Sequence, residues 1–197
     1  MLKDSIKVMN LEGYPVRFTP DDIEKLYENL RTVKYGETIE ADGFKISPQS
    51  AGHIPGSTMW KFENSSSIMV TGDLYTSDSL LLKGAEPQKC DTLIIESTYA
   101  GKNHVDREAV RKNLRESIKE IVEGGGKVIL PSFAMGRTQE LIMSISDLPY
   151  NIATDGMGNL ISSIYLHTPG YLRSDKNFRK ALSNVNEIKG RNMREWV

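Results

Sequence analysis

Residues 90–100, CDTLIIESTYA, separate two stretches of chain with different periodicity. Leu93, Ile94 and Ile95 run without polar alternation, which predicts a short strand buried on both faces. Upstream the pattern is rich in hairpins. TPDDIEKLYENL (19–30) reads as a helix, with Thr19 as N-cap, Pro20 in the first turn, Asp22 closing a capping box and Ile23, Leu26 and Leu30 as its apolar stripe. ETIEADGFKIS (37–47) reads as two strands turned at Asp42-Gly43, and MWKFENSSSIMVTGD (59–73) as a second pair around a polar turn. Downstream, Val110, Leu114, Ile118 and Ile121 recur at helical spacing and stop at Gly124-Gly125-Gly126. KVILPSF (127–133), YNIATD (150–155) and VNEI (185–188) read as strands. They alternate with helices at 135–145, 157–167 and 175–184. Such alternation predicts an α/β protein with a parallel sheet covered by helices, and a domain boundary near Tyr99.

A length of 197 residues, 39% hydrophobic and 26% charged, belongs to a globular chain rather than a disordered one. Net charge is −1, so no global field selects a polyanionic partner. Between Tyr171 and Val197, however, seven basic residues (Arg173, Lys176, Arg179, Lys180, Lys189, Arg191, Arg194) face three acidic ones (Asp175, Glu187, Glu195). A solvated surface and a nucleic-acid contact both account for that excess. No run nears the roughly 18 apolar residues of a membrane helix, and the amino terminus lacks the apolar core of a signal peptide. With Cys90 as the single cysteine, no intrachain disulfide forms, and the expected location is the cytoplasm, without membrane contact.

Four stretches carry polar groups suited to chemistry. His53 in AGHIPGS and Asp73 in TGD each follow a strand among small residues; an imidazole and a carboxylate are zinc donors, and both are equally ordinary turn residues. Glu96 ends the apolar strand, where functional side chains collect in layered α/β proteins, although an N-cap partner or a solvated rim residue would read the same. PSFAMGRTQE (131–140) is a strand-to-helix turn in which helix-start N–H groups, Ser132 and the Arg137 guanidinium could hold a phosphate. It lacks the GxxxxGK[ST] pattern of a Walker A loop.

Taken together, SAGHIPGS, TGD, LIIESTYAG followed by His104, and PSFAMGRTQEL resemble, in order and spacing, the β-CASP branch of the metallo-β-lactamase superfamily. The likeness is strongest to the archaeal homologues of the cleavage and polyadenylation specificity factor nuclease, and weaker to the RNase J type. It extends through DGMG (155–158) and IYLHTPGYLR (164–173). The resemblance implies part of a metallo-β-lactamase αββα sandwich over residues 1–98, followed by part of a Rossmann-like β-CASP parallel sheet over 99–197. It implies a zinc-dependent hydrolase of single-stranded RNA, with two zinc ions in the parental enzyme. His53 would bind one ion, Asp73 would bridge both, and Glu96 would orient a catalytic histidine from behind. His104 acquires no chemical role and is read as structural.

The family's HxHxDH signature is absent, and three histidines (His53, His104, His167) are too few to build it. Its later histidines have no match either. The expectation is therefore an internal piece that binds zinc weakly, cleaves RNA poorly, and self-associates through an apolar sheet face left uncovered. The alternative is a catalytically dead RNA-binding or scaffold subunit of the same fold. A metal-free nucleotide-binding domain is disfavoured by the missing GxGxxG pattern.

Overall fold

The computed structural model describes residues 2–188. They form two compact units, one ending at Lys34 and the other beginning at Tyr35. In the first unit, α1 (Leu2–Glu12) is joined to α2 (Pro20–Glu28) by an ion pair between Lys3 Nζ and Glu24 Oε1 at 2.7 Å. The predicted capping box is present. Thr19 Oγ1 accepts from the Asp22 N–H at 3.3 Å while Asp22 Oδ2 accepts from the Thr19 N–H at 2.8 Å. Those two bonds satisfy donors that the first helical turn would otherwise leave orphaned. Of the expected stripe only Ile23 is buried; Leu26 and Leu30 stay in solvent.

The second unit begins with a sheet in the order β1 (Ile39–Ala41), β2 (Phe44–Ser50), β3 (Thr58–Glu63), β4 (Ser67–Val70) and β5 (Thr92–Ile94). Asp42 and Gly43 take φ of 50° and 78°, the positive values that a tight hairpin turn requires. The first three pairings are antiparallel, and β5 joins β4 in parallel. Then come α3 (Arg107–Glu123), α4 (Arg137–Ile145), β6 (Ala153–Thr154), α5 (Met157–His167), α6 (Asp175–Leu182) and β7 (Asn186–Glu187), with β6 and β7 paired in parallel. The mixed α/β class is as expected. Its predicted parallel sheet is reduced to a two-residue pairing.

Two expectations are corrected. The run at Leu93, Ile94 and Ile95 is not buried on both faces: each side chain is more than half exposed, because β5 is hydrogen-bonded on one side only and no described element covers it. KVILPSF is not a strand, and Ile129 and Phe133 stand 71% and 84% exposed. A strand exists only where a neighbouring strand pairs with it, and residues 127–133 take part in no strand pairing among the described residues. Lys189, Arg191, Arg194 and Glu195, which contribute to the expected basic excess, lie outside the described residues. No described helix is long and apolar enough to cross a membrane.

The core has two parts. Ala51, Met59, Met69 and Ala85 pack under the sheet with Leu74 and Cys90 against them. Leu81, Leu82, Tyr165 and Phe178 pack among the helices with Met143, Ile161 and Leu172. The segment from Leu74 to Ala85 contributes to both, so it ties the sheet to the helices. Replacing the fully buried Phe178 with Ala is expected to lower stability by about 3–5 kcal/mol, the cost of a large core cavity. Urea unfolding checks this; a loss below about 1 kcal/mol would mean that the helical cluster is not a packed core.

Candidate functional site

Sheet topology brings three distant residues to one end. Because β3 runs against β2 and β4, the β2–β3 connection and the exit of β4 lie at the same edge, where Ser50 faces Thr58 and Trp60 faces Val70. Parallel pairing puts the exit of β5 there too, with Ile94 beside Val70. His53, Asp73 and Glu96 follow these three strand ends within a few residues.

Each loop is held by backbone bonds. Ser57 Oγ accepts from the N–H groups of His53 and Ile54, both at 3.2 Å, which closes the AGHIPGS turn. The Tyr75 N–H donates to the Ala51 carbonyl at 2.9 Å, and the Ala85 N–H to the Tyr75 carbonyl at 2.8 Å. Between these bonds Gly52, at φ +69°, lies so close to the Tyr75 carbonyl oxygen and the Ala85 nitrogen that a Cβ would collide with both. Glu96 Oε1 accepts from the Leu74 N–H at 3.2 Å and Oε2 from the Thr98 N–H at 2.9 Å, so the carboxylate grips the residue that follows Asp73.

The outcome is a His53 Nε2 to Asp73 Oδ2 separation of 3.9 Å, with the side chains 47% and 77% exposed. Two donors on one tetrahedral zinc at about 2.0–2.1 Å stand about 3.3 Å apart, so the donor types suit one ion while the observed 3.9 Å is wider than the spacing of a tetrahedral pair. Among the described residues no group of three His, Cys, Asp or Glu side chains converges to hold a metal ion. His53 and Asp73 are thus two donor side chains where a tetrahedral zinc site takes four. Hydrogen bonds from the Thr98 side chain and backbone, then from the Leu74 N–H, with a further contribution from the field of His53, hold the Glu96 carboxyl below the ordinary glutamate range.

The PSFAMGRTQE turn reaches the same edge. A Cβ on Gly136, at φ +74°, would lie 2.7 Å from Ile54 Cγ2, so this turn rests on the residue after His53. Ser132 Oγ hydrogen-bonds Thr138 Oγ1 at 2.9 Å, and Arg137 is exposed at the start of α4. The N–H groups of Arg137 and Thr138 already donate to Met135 and Phe133 carbonyls, so they are not free to receive a phosphate. His104 stacks edge-on against Tyr99 at 4.5 Å, consistent with a structural part. A groove of about 680 Å³ between α3 and α4 includes none of His53, Asp73 or Glu96.

Sequence reading missed a polar junction beside the site. Glu140 of α4 accepts from the Leu80 and Leu81 N–H groups at 3.0 Å each, and Arg107 of α3 lies 4.7 Å above the Tyr75 ring and 3.7 Å from Glu140. No local motif signals contacts across such long separations in sequence.

Residues 3–97 match the metallo-beta-lactamase superfamily domain. The chain is 34% identical over 196 residues to "RNase aCSPSF2" of Saccharolobus solfataricus, covering 96% of this chain and 39% of that protein. It is 34% identical over 198 residues to "Probable RNase MJ4" of Methanocaldococcus jannaschii, covering 95% and 46%. It is 35% identical over 151 residues to "Cleavage and polyadenylation specificity factor subunit 3" of Dictyostelium discoideum, covering 75% and 20%. The chain therefore spans less than half the length of these curated relatives.

A carboxyl whose folded pKa is depressed adds stability above the ordinary glutamate value and loses it as pH falls through the folded value. The Leu74 and Thr98 amides are accordingly expected to keep their protection at neutral pH and to lose it on acidification below 4.5, the ordinary value, while Glu96→Gln removes that dependence. Carbon-detected NMR titration of the Glu96 side chain decides it. A midpoint at or above the ordinary value would show that the three hydrogen bonds do not form in solution.

Proposed function

The chain belongs to the β-CASP branch of the metallo-β-lactamase superfamily, and from that premise we propose that it supplies part of the active site of a zinc-dependent ribonuclease. The observation that carries the proposal is the convergence of His53 and Asp73 to 3.9 Å, from separate loops, with Glu96 bonded to the residue next to Asp73. The family supplies the expectation of a metal cofactor; zinc is our choice from one imidazole and one carboxylate donor. Bound there, the metal would polarise a phosphodiester and furnish a nucleophile at neutral pH.

In this reading His53 and Asp73 hold the ion and Glu96 keeps the Asp73 loop in place. Ser132 and Arg137, on the turn that leans on Ile54, meet the phosphates of a single-stranded RNA. The reading places the metallo-β-lactamase part at 1–98 and the β-CASP part at 99–197, and the cytoplasm as the site of action. The 197 residues alone hold zinc weakly and cleave RNA poorly, because two donors fall short of the three that a catalytic zinc takes.

The test is zinc content by elemental analysis after dialysis, then zinc titration of the native chain beside His53→Ala and Asp73→Ala. Substoichiometric zinc that is restored by titration in the native chain and lost in both variants supports the site. Uptake indifferent to both substitutions overturns it. Tight, full occupancy with zinc-dependent RNA cleavage abolished by His53→Ala overturns the weak-binding part alone, whereas RNA binding without any zinc uptake favours the scaffold alternative.

The exposed apolar side chains of Leu93, Ile94 and Ile95 in and just after β5, and of Ile129 and Phe133 in the 127–133 segment, further support self-association with a second copy through apolar residues. Sedimentation velocity is expected to show a concentration-dependent profile that Phe133→Ser together with Ile94→Ser weakens. A monomer throughout the accessible range contradicts it.

A further inference from the structure

The strongest unassigned feature is the polar junction at the tip of the 74–85 segment. Both oxygens of one carboxylate receive consecutive backbone N–H groups: Leu80 to Glu140 Oε1 and Leu81 to Oε2, each at 3.0 Å. Glu140 is 17% exposed, so these charge-assisted bonds are shielded from water on most sides. Arg107 closes the other flank, its guanidinium 3.7 Å from Glu140 and stacked over Tyr75. Arg173 clamps the same tip, its Nη1 donating to the Ser79 carbonyl at 2.9 Å and its backbone N–H to the Leu81 carbonyl at 2.8 Å.

What the tip does is transmitted to its base. Leu81 and Leu82 are plugged into the helical cluster, while Tyr75 and Ala85, bonded to each other, seat the segment against Ala51 and Gly52. Leu74, one residue further, is held by Glu96, and the next residue back is Asp73. Tyr75 is the hinge between the two ends, since its ring meets Arg107 and its backbone meets the loop of His53.

We propose that Glu140, with Arg107, is a positioning residue for Asp73: it fixes the tip of the 74–85 segment to helices α3 and α4 and thereby holds the carboxylate at its distance from His53. The proposal rests on the metal reading of His53 and Asp73 for its functional meaning, but its structural content is independent of any ion. The isosteric change Glu140→Gln keeps one acceptor and sets an amide NH₂ against a backbone N–H, so the tip loses one bond without losing volume.

Amide hydrogen exchange on the full chain tests it, comparing the native protein with Glu140→Gln. Leu80 and Leu81 are expected to exchange about tenfold faster, as for loss of a hydrogen bond to a charged group, and Leu74, Tyr75 and Ala85 to accelerate with them while the β2–β3 ladder stays unchanged. Zinc affinity at His53 and Asp73 is expected to fall about tenfold in parallel. Acceleration confined to Leu80 and Leu81, with the base of the segment and zinc affinity unmoved, overturns the proposal and leaves Glu140 a local cap. If Glu140→Gln also releases the β2–β3 ladder, Glu140→Asp, which keeps the charge but is one methylene shorter, is read by the same criteria. If the native chain takes up no zinc, the metal reading fails and exchange at Leu74, Tyr75 and Ala85 alone decides the positioning role.

Discussion

The contact on which the site depends is backbone against backbone: Gly52 pressed on Tyr75 and Ala85, and Gly84 pressed on Thr76. No side chain fits at either glycine, and the absence of two Cβ atoms lets the Tyr75 N–H bond the Ala51 carbonyl of the AGHIPGS turn while the Ala85 N–H closes the 74–85 segment on the Tyr75 carbonyl. Beneath that seam Ala51 and Ala85 are buried with Met59 and Met69, so small residues at the contact and flexible thioethers below let the sheet close on the loop. The loops carrying His53 and Asp73 are consequently two faces of one packed object.

Much of this was legible in the sequence, for local reasons. The Thr19 to Asp22 box, the Asp42-Gly43 turn and the Gly124 helix stop each declare themselves within a few residues, and each is where the pattern put it. His53, Asp73 and Glu96 stood out because polar groups followed apolar strands among small residues, and strand topology did the rest. Glu140 and Arg107 were not legible, because a glutamate inside a helix is the most ordinary residue there and its partners lie 59 and 60 positions away. The phosphate role read into Ser132 and Arg137 was half legible: the turn lies against Ile54, but two of its N–H groups are spent on its own carbonyls.

The two corrected expectations, burial of the strand at 93–95 and a strand at 127–133, fail for one reason. Apolarity predicts that a segment will be buried if something covers it, and β structure requires a neighbour with free backbone groups. Residues 92–94 have one such neighbour in β4 and form a short strand with exposed side chains. Residues 127–133 pair with no strand among the described residues, and Pro131 also lacks a donor, so equal apolarity there produces no strand. In both places an apolar run meets no cover among the described residues.

The exposure of His53 and Asp73 limits what their own attraction can do. At 3.9 Å, with both side chains open to water, a pair of this kind is screened and contributes little to holding two loops together. Their spacing must be imposed from elsewhere, and the forces able to impose it are the glycine seam, the Leu81 and Leu82 plug and the backbone N–H bonds to Glu140, which are shielded from solvent, together with the part-buried bond from the Leu74 N–H to Glu96. A site built this way keeps its donors in place while leaving them accessible to an ion. The two donors of the proposed metal site stay solvated, and the carboxylates that set the geometry are spent on the backbone.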